Sequence, residues 1–218
     1  MFLSDGTEWR TGGKSRHLYV VDDDAEARRA LFLLLSRDGG AHVRTFGCGE
    51  LFLERLPELD PGCVLLDLHM PGASGFDVVE QLAADSRAWA SVILSGAAGV
   101  SAAVRLLRAG AVDVLEKPAG NNAIREAVAR AFGHLDREAA RRARVGDATE
   151  RLDALSPRER DVLAGLLEGH PNKVIAHQLG LSPRTVEIHR ANLMEKLGAR
   201  SLSDAFRLAM AAGMLRAA

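Results

Sequence analysis

The chain has 218 residues, enough for one large domain or two small ones with separate cores. Its 47% hydrophobic and 26% charged content, with only 7 prolines, is that of an ordinary globular protein and excludes a disordered or fibrous chain. The formal net charge of -1 hides an asymmetry: residues 17–120 carry 9 Lys/Arg against 15 Asp/Glu, and residues 151–218 carry 10 against 7, an excess too small to identify a nucleic-acid binder by charge alone.

The longest apolar run, residues 30–35, falls far short of the roughly 20 residues that span a bilayer, so no membrane association is expected. Residues 1–16 are polar, lack the apolar stretch of a secretory signal and are read as an N-terminal extension of a cytoplasmic protein. Cys48 and Cys63 match neither a metal-ligand spacing nor a disulfide framework and are read as small packing residues.

From His17 onward, short apolar runs alternate with amphipathic stretches. Strands are predicted at 18–21, 42–46, 63–66, 91–94 and 112–115, and helices at 25–37, 49–56, 75–83, 101–109 and 121–135. Strands that are apolar throughout and separated by helices imply a parallel sheet covered on both faces, with ligands bound outside the C-terminal strand ends. Polar residues stand at those ends: Asp22 and Asp23 after the first strand, Asp67 after the third, Ser95 after the fourth and Lys117 after the fifth. All five are expected to converge on one edge. Asp24 instead begins a helix and is explained as a cap favoured by the helix dipole.

Three clustered carboxylates repel one another unless a cation neutralises them, and all-oxygen ligands favour Mg²⁺. Asp23 and Asp67 are the preferred direct ligands, with Asp22 reaching the ion through water. An aspartate can also attack phosphorus to form an acyl phosphate, the metal shielding the approach of the phosphoryl donor, and Asp67 is the candidate nucleophile. Lys117 supplies a point charge to the phosphoryl oxygens, and Ser95 a hydroxyl that bonds them once they are present.

The Val-Asp-Asp strand end, Leu-Leu-Asp-Leu-His-Met-Pro-Gly over 65–72, Ser95-Gly96 and Glu116-Lys117-Pro118 resemble the receiver domains of two-component systems across nearly all of residues 17–134. The resemblance implies a doubly wound (βα)5 flavodoxin-like α/β domain. It also implies a sensor histidine kinase as phosphoryl donor and a further Mg²⁺ ligand, the backbone carbonyl two residues beyond the acceptor, which here belongs to His69. Two departures stand out. Val114 occupies a position where receivers commonly carry Phe or Tyr, and the Ala97-Ala98-Gly99 loop and Lys117-Pro118-Ala119 step lack the polar and aromatic side chains of the relatives.

Residues 135–154, rich in Arg, Glu, Asp and Ala, read as a solvated helical linker ahead of a C-terminal domain over 155–218. That domain has a helix-only pattern with clear start signals. Ser156-Pro157-Arg158-Glu159 forms a capping box, Asn172 caps a short helix ending near Gly180, Ser182-Pro183 opens a helix to Leu197, and Ser201 to Asp204 resembles a capping box for a last helix. The helix from Pro183 places Val186, Leu193 and Leu197 on one face and Arg184, Glu187, Ile188 and Ala191 on the other; a short helix and a Gly-containing turn before it complete a helix-turn-helix. His189 shares the spacing of the apolar face and is expected to be partly buried.

Residues 156–213, with Pro-Asn-Lys-Val-Ile-Ala over 171–176 and Ser-Pro-Arg-Thr-Val-Glu-Ile-His-Arg over 182–190, resemble the four-helix LuxR-type module, and within it the FixJ and NarL type of response regulator. Arg184, Glu187, Ile188 and Ala191 are then the base-facing candidates on double-stranded DNA, and Lys173, Thr185, Arg190, Lys196 and Arg200 the phosphate-facing ones. Leu202, Ala205, Phe206 and Ala209 serve either core packing or DNA-bound dimerisation. The implied mechanism is phosphorylation of Asp67, a changed surface at 101–115, homodimerisation onto paired half-sites and recruitment or blocking of RNA polymerase; the alternatives are a phosphorylation-independent DNA-binding transcription factor and a phosphate-sink or scaffold receiver protein. No catalytic triad or nucleotide-binding loop points to an enzyme.

Overall fold

The computed structural model describes residues 15–37, 40–96 and 99–214. The chain divides after Ala139 into two compact units.

In the first unit, strands β1 (His17–Val21), β2 (His42–Phe46), β3 (Cys63–Asp67), β4 (Ala90–Ser95) and β5 (Asp113–Glu116) alternate with helices α1 (Ala25–Ser36), α2 (Gly49–Arg55), α3 (Gly75–Ala84), α4 (Val100–Arg108) and the part of α5 (Asn121–Asp153) before Ala140. All five strands are parallel, in the order β2-β1-β3-β4-β5. The chain therefore reverses its winding between β1 and β3, opening a crevice at their C-terminal ends. Every residue of β3 and β4 is buried, which explains why both are apolar apart from Ser91 and the terminal Asp67 and Ser95: each face of the sheet has its own cover. Leu18, Val20, Leu65, Val92 and Leu94 pack with Leu31 and Leu35 of α1 and Ile124, Val128 and Phe132 of α5. Tyr19, Val21, Val64, Leu66 and Ile93 turn to the other face, against Phe52, Val78, Val79, Leu82 and Leu106 of α2, α3 and α4. Cys63 lies wholly in the first of these cores, where burial pushes its thiol up, and both cysteines are free, as packing residues are.

Helix α5 continues to Asp153, well past the expected end at 135. Residues 139–144 are exposed, as a solvated segment should be. Leu152 and Leu155 lie in the core of the second unit, so the linker expected over 135–154 contributes its last turn to that core.

The second unit continues with α6 (Pro157–Leu167), α7 (Asn172–Leu179), α8 (Pro183–Leu197) and α9 (Leu202–Ala211). Ser156 and Ser201 form the expected capping boxes with Glu159 and Asp204, and Ser182 caps α8 by accepting from the Thr185 amide at 3.1 Å. Asn172 differs from expectation. It is the first residue of α7, and Pro171, which has no capping side chain, stands at the cap. The turn between α7 and α8 passes through Gly180 at φ +66, a left-handed conformation costly for residues with a Cβ. Leu163, Ile175, Val186, Leu193, Leu197 and Ala205 form the core, each wholly or nearly wholly buried.

Candidate functional site

Asp22 follows directly on β1 and Asp67 ends β3, and the pairing of Val21 with Leu66 makes these two strand ends neighbours. One carboxylate oxygen from each of Asp22, Asp23 and Asp67 fits within 4.8 Å of the others. Asp22 and Asp67 are buried, whereas Asp23 faces solvent. From the loop after β5, Lys117 Nζ lies 2.8 Å from Asp22 Oδ2 and 3.2 Å from Asp67 Oδ2. Burial alone would lower the Lys117 ammonium, but its hydrogen bond to Asp22 and the charges of Asp22 and Asp67 outweigh this and hold it above the usual lysine value. One ammonium balances one of three carboxylates. The remaining negative charge and the purely oxygen donor set fit a small divalent cation such as Mg²⁺.

Ser95 ends β4 and is fully buried beside this edge, where its carbonyl accepts from the Lys117 amide at 2.8 Å and ties the β5–α5 step to β4. The His69 amide donates to Asp67 Oδ1 at 3.4 Å, while its imidazole side is exposed. Asp24 caps α1 by accepting from the amides of Glu26 and Ala27, as expected, and stays outside the acidic cluster. Val114 is half-buried, paired with Ile93, and packs on the α2–α3–α4 side of the sheet. Ala97 and Ala98 lie outside the described residues.

Two side chains that sequence reasoning missed hydrogen-bond backbone groups in the loops after β1 and β3. Arg28 Nη1 donates to the carbonyls of Asp22 at 2.7 Å and Asp23 at 2.9 Å, fixing the turn that presents both acids. A cation in the second turn of α1 stands near the positive end of the helix dipole, and that mismatch was the available signal. Glu50 Oε1 accepts from the Ala73 amide in the β3–α3 loop at 2.5 Å. Its partner is 23 residues away, beyond any local pattern.

In the second unit, α8 presents the two faces expected of it. Val186, Leu193 and Leu197 are buried; Arg184, Glu187, Ile188 and Ala191 are exposed, Ile188 to 51% despite being apolar. His189 is half-buried. Lys173, Arg190 and Arg200 are exposed, and Arg190 Nη1 reaches Asn172 Oδ1 at 3.5 Å. Thr185 is half-buried and its hydroxyl shares a 2.9 Å hydrogen bond with Ser182. Lys196 has a different engagement: its ammonium is 2.7 Å from Glu159 Oε2, a carboxylate with 5% exposure that also accepts from the Ser156 amide at 2.8 Å. Lys196 and then the Ser156 amide hold the Glu159 carboxyl down at about 2. On α9, Ala205 and Ala209 are core residues, whereas Leu202 and Phe206 remain exposed.

Residues 18–129 match the response regulator receiver domain family, and residues 153–209 match the bacterial regulatory proteins of the luxR family. The chain is 41% identical to the transcriptional regulatory protein FixJ of Bradyrhizobium diazoefficiens over 91% of its own length and 97% of that protein. Among solved structures it resembles the response regulator StyR, with 34% identity, TM-score 0.75, and coverage of 90% of this chain and 99% of that one. Full-length FixJ from B. japonicum aligns with 40% identity and TM-score 0.57 over 94% of this chain and 100% of that one. The chain belongs to the two-component response regulators in which a receiver domain precedes a LuxR-type DNA-binding domain, a family of transcription regulators rather than enzymes. No helix among the described residues is long and apolar enough to cross a membrane.

Proposed function

We propose that Asp67 accepts a phosphoryl group from a sensor histidine kinase, and that this modification controls receiver dimerisation and the binding of α8 to promoter half-sites. The observation that carries the reading is the Lys117 ammonium shared between Asp22 and Asp67 within a cluster of three carboxylates. Asp22, Asp23, Asp67 and the His69 carbonyl would hold Mg²⁺, which would supply neutralising charge for the donor's phosphoryl oxygens. An Asp67 carboxylate oxygen then attacks phosphorus, and the phosphorus–nitrogen bond to the kinase imidazole breaks. The imidazole keeps the bonding electrons and takes up a proton. Lys117 turns from Asp67 toward the new phosphoryl oxygens, and the Ser95 hydroxyl donates to them.

The drawing-in of Ser95 changes the adjoining surface of α4 and β5 and favours a homodimer. Paired heads then read two half-sites on double-stranded DNA, recruiting or blocking RNA polymerase. With Val114 in place of an aromatic side chain, coupling runs through Ser95 and the backbone after β4 rather than through a rotating ring. Arg184, Glu187, Ile188 and Ala191 face bases; Lys173, Thr185, Arg190 and Arg200 face phosphates. Lys196 reaches DNA only with the part of its head that Glu159 leaves solvated.

Incubation of the full chain with acetyl phosphate and Mg²⁺, read by phosphate-affinity electrophoresis, tests the acceptor. The reading requires one phosphoryl group in the wild type and none in Asp67→Asn. Equal incorporation in both would refute it.

A further inference from the structure

We propose that Glu50 is a positioning residue for the metal pocket: from the first turn of α2 it fixes the loop carrying the His69 carbonyl and thereby sets the affinity for Mg²⁺. The inference rests on the reading of Asp22, Asp23 and Asp67 as a Mg²⁺ site.

The loop between Asp67 and α3 is held at its near end by the sheet, where the Leu68 amide donates to the Leu94 carbonyl at 2.9 Å. Its far end is held by two bonds: the Gly75 amide donates to the Leu68 carbonyl at 3.1 Å, and the Ala73 amide to Glu50 Oε1 at 2.5 Å. Between these anchors lie His69, the buried Met70, Pro71 and Gly72. Gly72 adopts φ +77, and a Cβ built on it would collide with Glu50 Oε1, so the carboxylate fills space that glycine leaves open.

Helix α2 begins after Cys48 with no side-chain cap. Glu50 takes up that function as well: its own amide and that of Ala73 hold its carboxyl below the usual glutamate range. Those bonds favour the charged carboxylate, and charged acceptors bind amides more strongly than neutral ones. The carboxylates that gather at the metal cluster are those of Asp22, Asp23 and Asp67, so Glu50 acts through the loop, not as a ligand. Residues that orient metal ligands typically change metal affinity by about 10- to 100-fold when removed.

The test uses the full chain with two readouts that need no phosphorylation. Amide hydrogen exchange over 68–75 is followed in metal-free protein, and Mg²⁺ affinity is measured by titration calorimetry with MgCl₂. Glu50→Ala should expose the loop to exchange and weaken Mg²⁺ binding about 10-fold. Glu50→Gln, which keeps an acceptor oxygen, should fall between Glu50→Ala and wild type. Glu54→Ala, which removes the same charge from an exposed position on the same helix, should match wild type. Wild-type Mg²⁺ affinity in Glu50→Ala overturns the proposal, even with a lowered melting temperature, because Glu50 would then serve stability alone. Equal weakening in Glu54→Ala also overturns it, by reducing the effect to bulk charge. A wild-type chain that binds no Mg²⁺ refutes the underlying pocket reading, and this shows before any variant is compared.

Discussion

The acidic edge of the first unit and the exposed face of α8 achieve function by opposite uses of burial. At the edge, the sheet carries Asp22, Asp67 and Ser95 into buried positions and Lys117 against them, so the site is defined by polar groups the fold removes from water. On α8, burial of Val186, Leu193 and Leu197 leaves Arg184, Glu187, Ile188 and Ala191 outside, so the proposed reading face is defined by what the core rejects. Charges gathered at an edge against their mutual repulsion point to a ligand, whereas an exposed polar face gains meaning only from its motif.

The comparison implies that each unit keeps its own core, and core truncation tests this with the largest effect. Ile93→Ala and Leu193→Ala should each cost about 2–5 kcal/mol, the first in the receiver transition and the second in that of the reading head, as calorimetry of the full chain resolves them. A single transition lowered equally by both would show that the cores are not separate.

Next in size are the side chains proposed to face bases. Arg184→Ala should cost about 1–3 kcal/mol of DNA affinity on the bound sequence and relax discrimination at one position, measured by competition with single-base variants. If affinity fell equally on all sequences, Arg184 would be a phosphate contact.

Lys196 blurs the contrast, since in the second unit it repeats the buried-acid device of the first. Lys196→Ala should destabilise the reading head by about 1–2 kcal/mol, less than a fully buried pair because its ammonium is partly solvated. The Glu159 carboxyl sits at about 2 in the folded chain, below its ordinary value, so its contribution is present above roughly pH 4.5 and is lost as the pH falls toward 2. Melting of the second unit should follow that window in wild type and flatten in Glu159→Gln. The smallest effect is expected at Lys173: its alanine variant should bind all sequences slightly more weakly and lower the salt-dependence slope by about 1.

Much of this was legible in the sequence for a definite reason. Apolar runs ending in Asp22, Asp67, Ser95 and Lys117 encode both the strands and the edge on which they meet, because a parallel sheet puts all its C-terminal strand ends on one side. The faces of α8 follow from helical spacing in the same way. What escaped depends on partners distant in sequence. Lys196 reads as one more exposed cation until Glu159, 37 residues earlier, is placed beside it. Glu50 acts on a backbone amide 23 residues away, which no side-chain pattern marks, and Arg28 is marked only by its place near the positive end of the α1 dipole. The sequence predicts helix over 135–154, but the burial of Ala148 and Leu152 at its end escaped, because they are scattered apolar residues in a charged stretch and Leu152 joins a core formed by residues far along the chain. Asn172 was misplaced by one residue because a proline can stand at the cap without a hydrogen-bonding side chain.

The central claim is that the chemistry at Asp67 governs the reading by α8. Sedimentation of the full chain with a labelled fragment of bound DNA, with and without acetyl phosphate in Mg²⁺, measures both oligomeric state and affinity. Phosphorylation should convert monomer to dimer and tighten DNA binding in wild type while leaving Asp67→Asn unchanged. Identical sedimentation and affinity in a wild-type chain shown to carry the phosphoryl group would contradict the account.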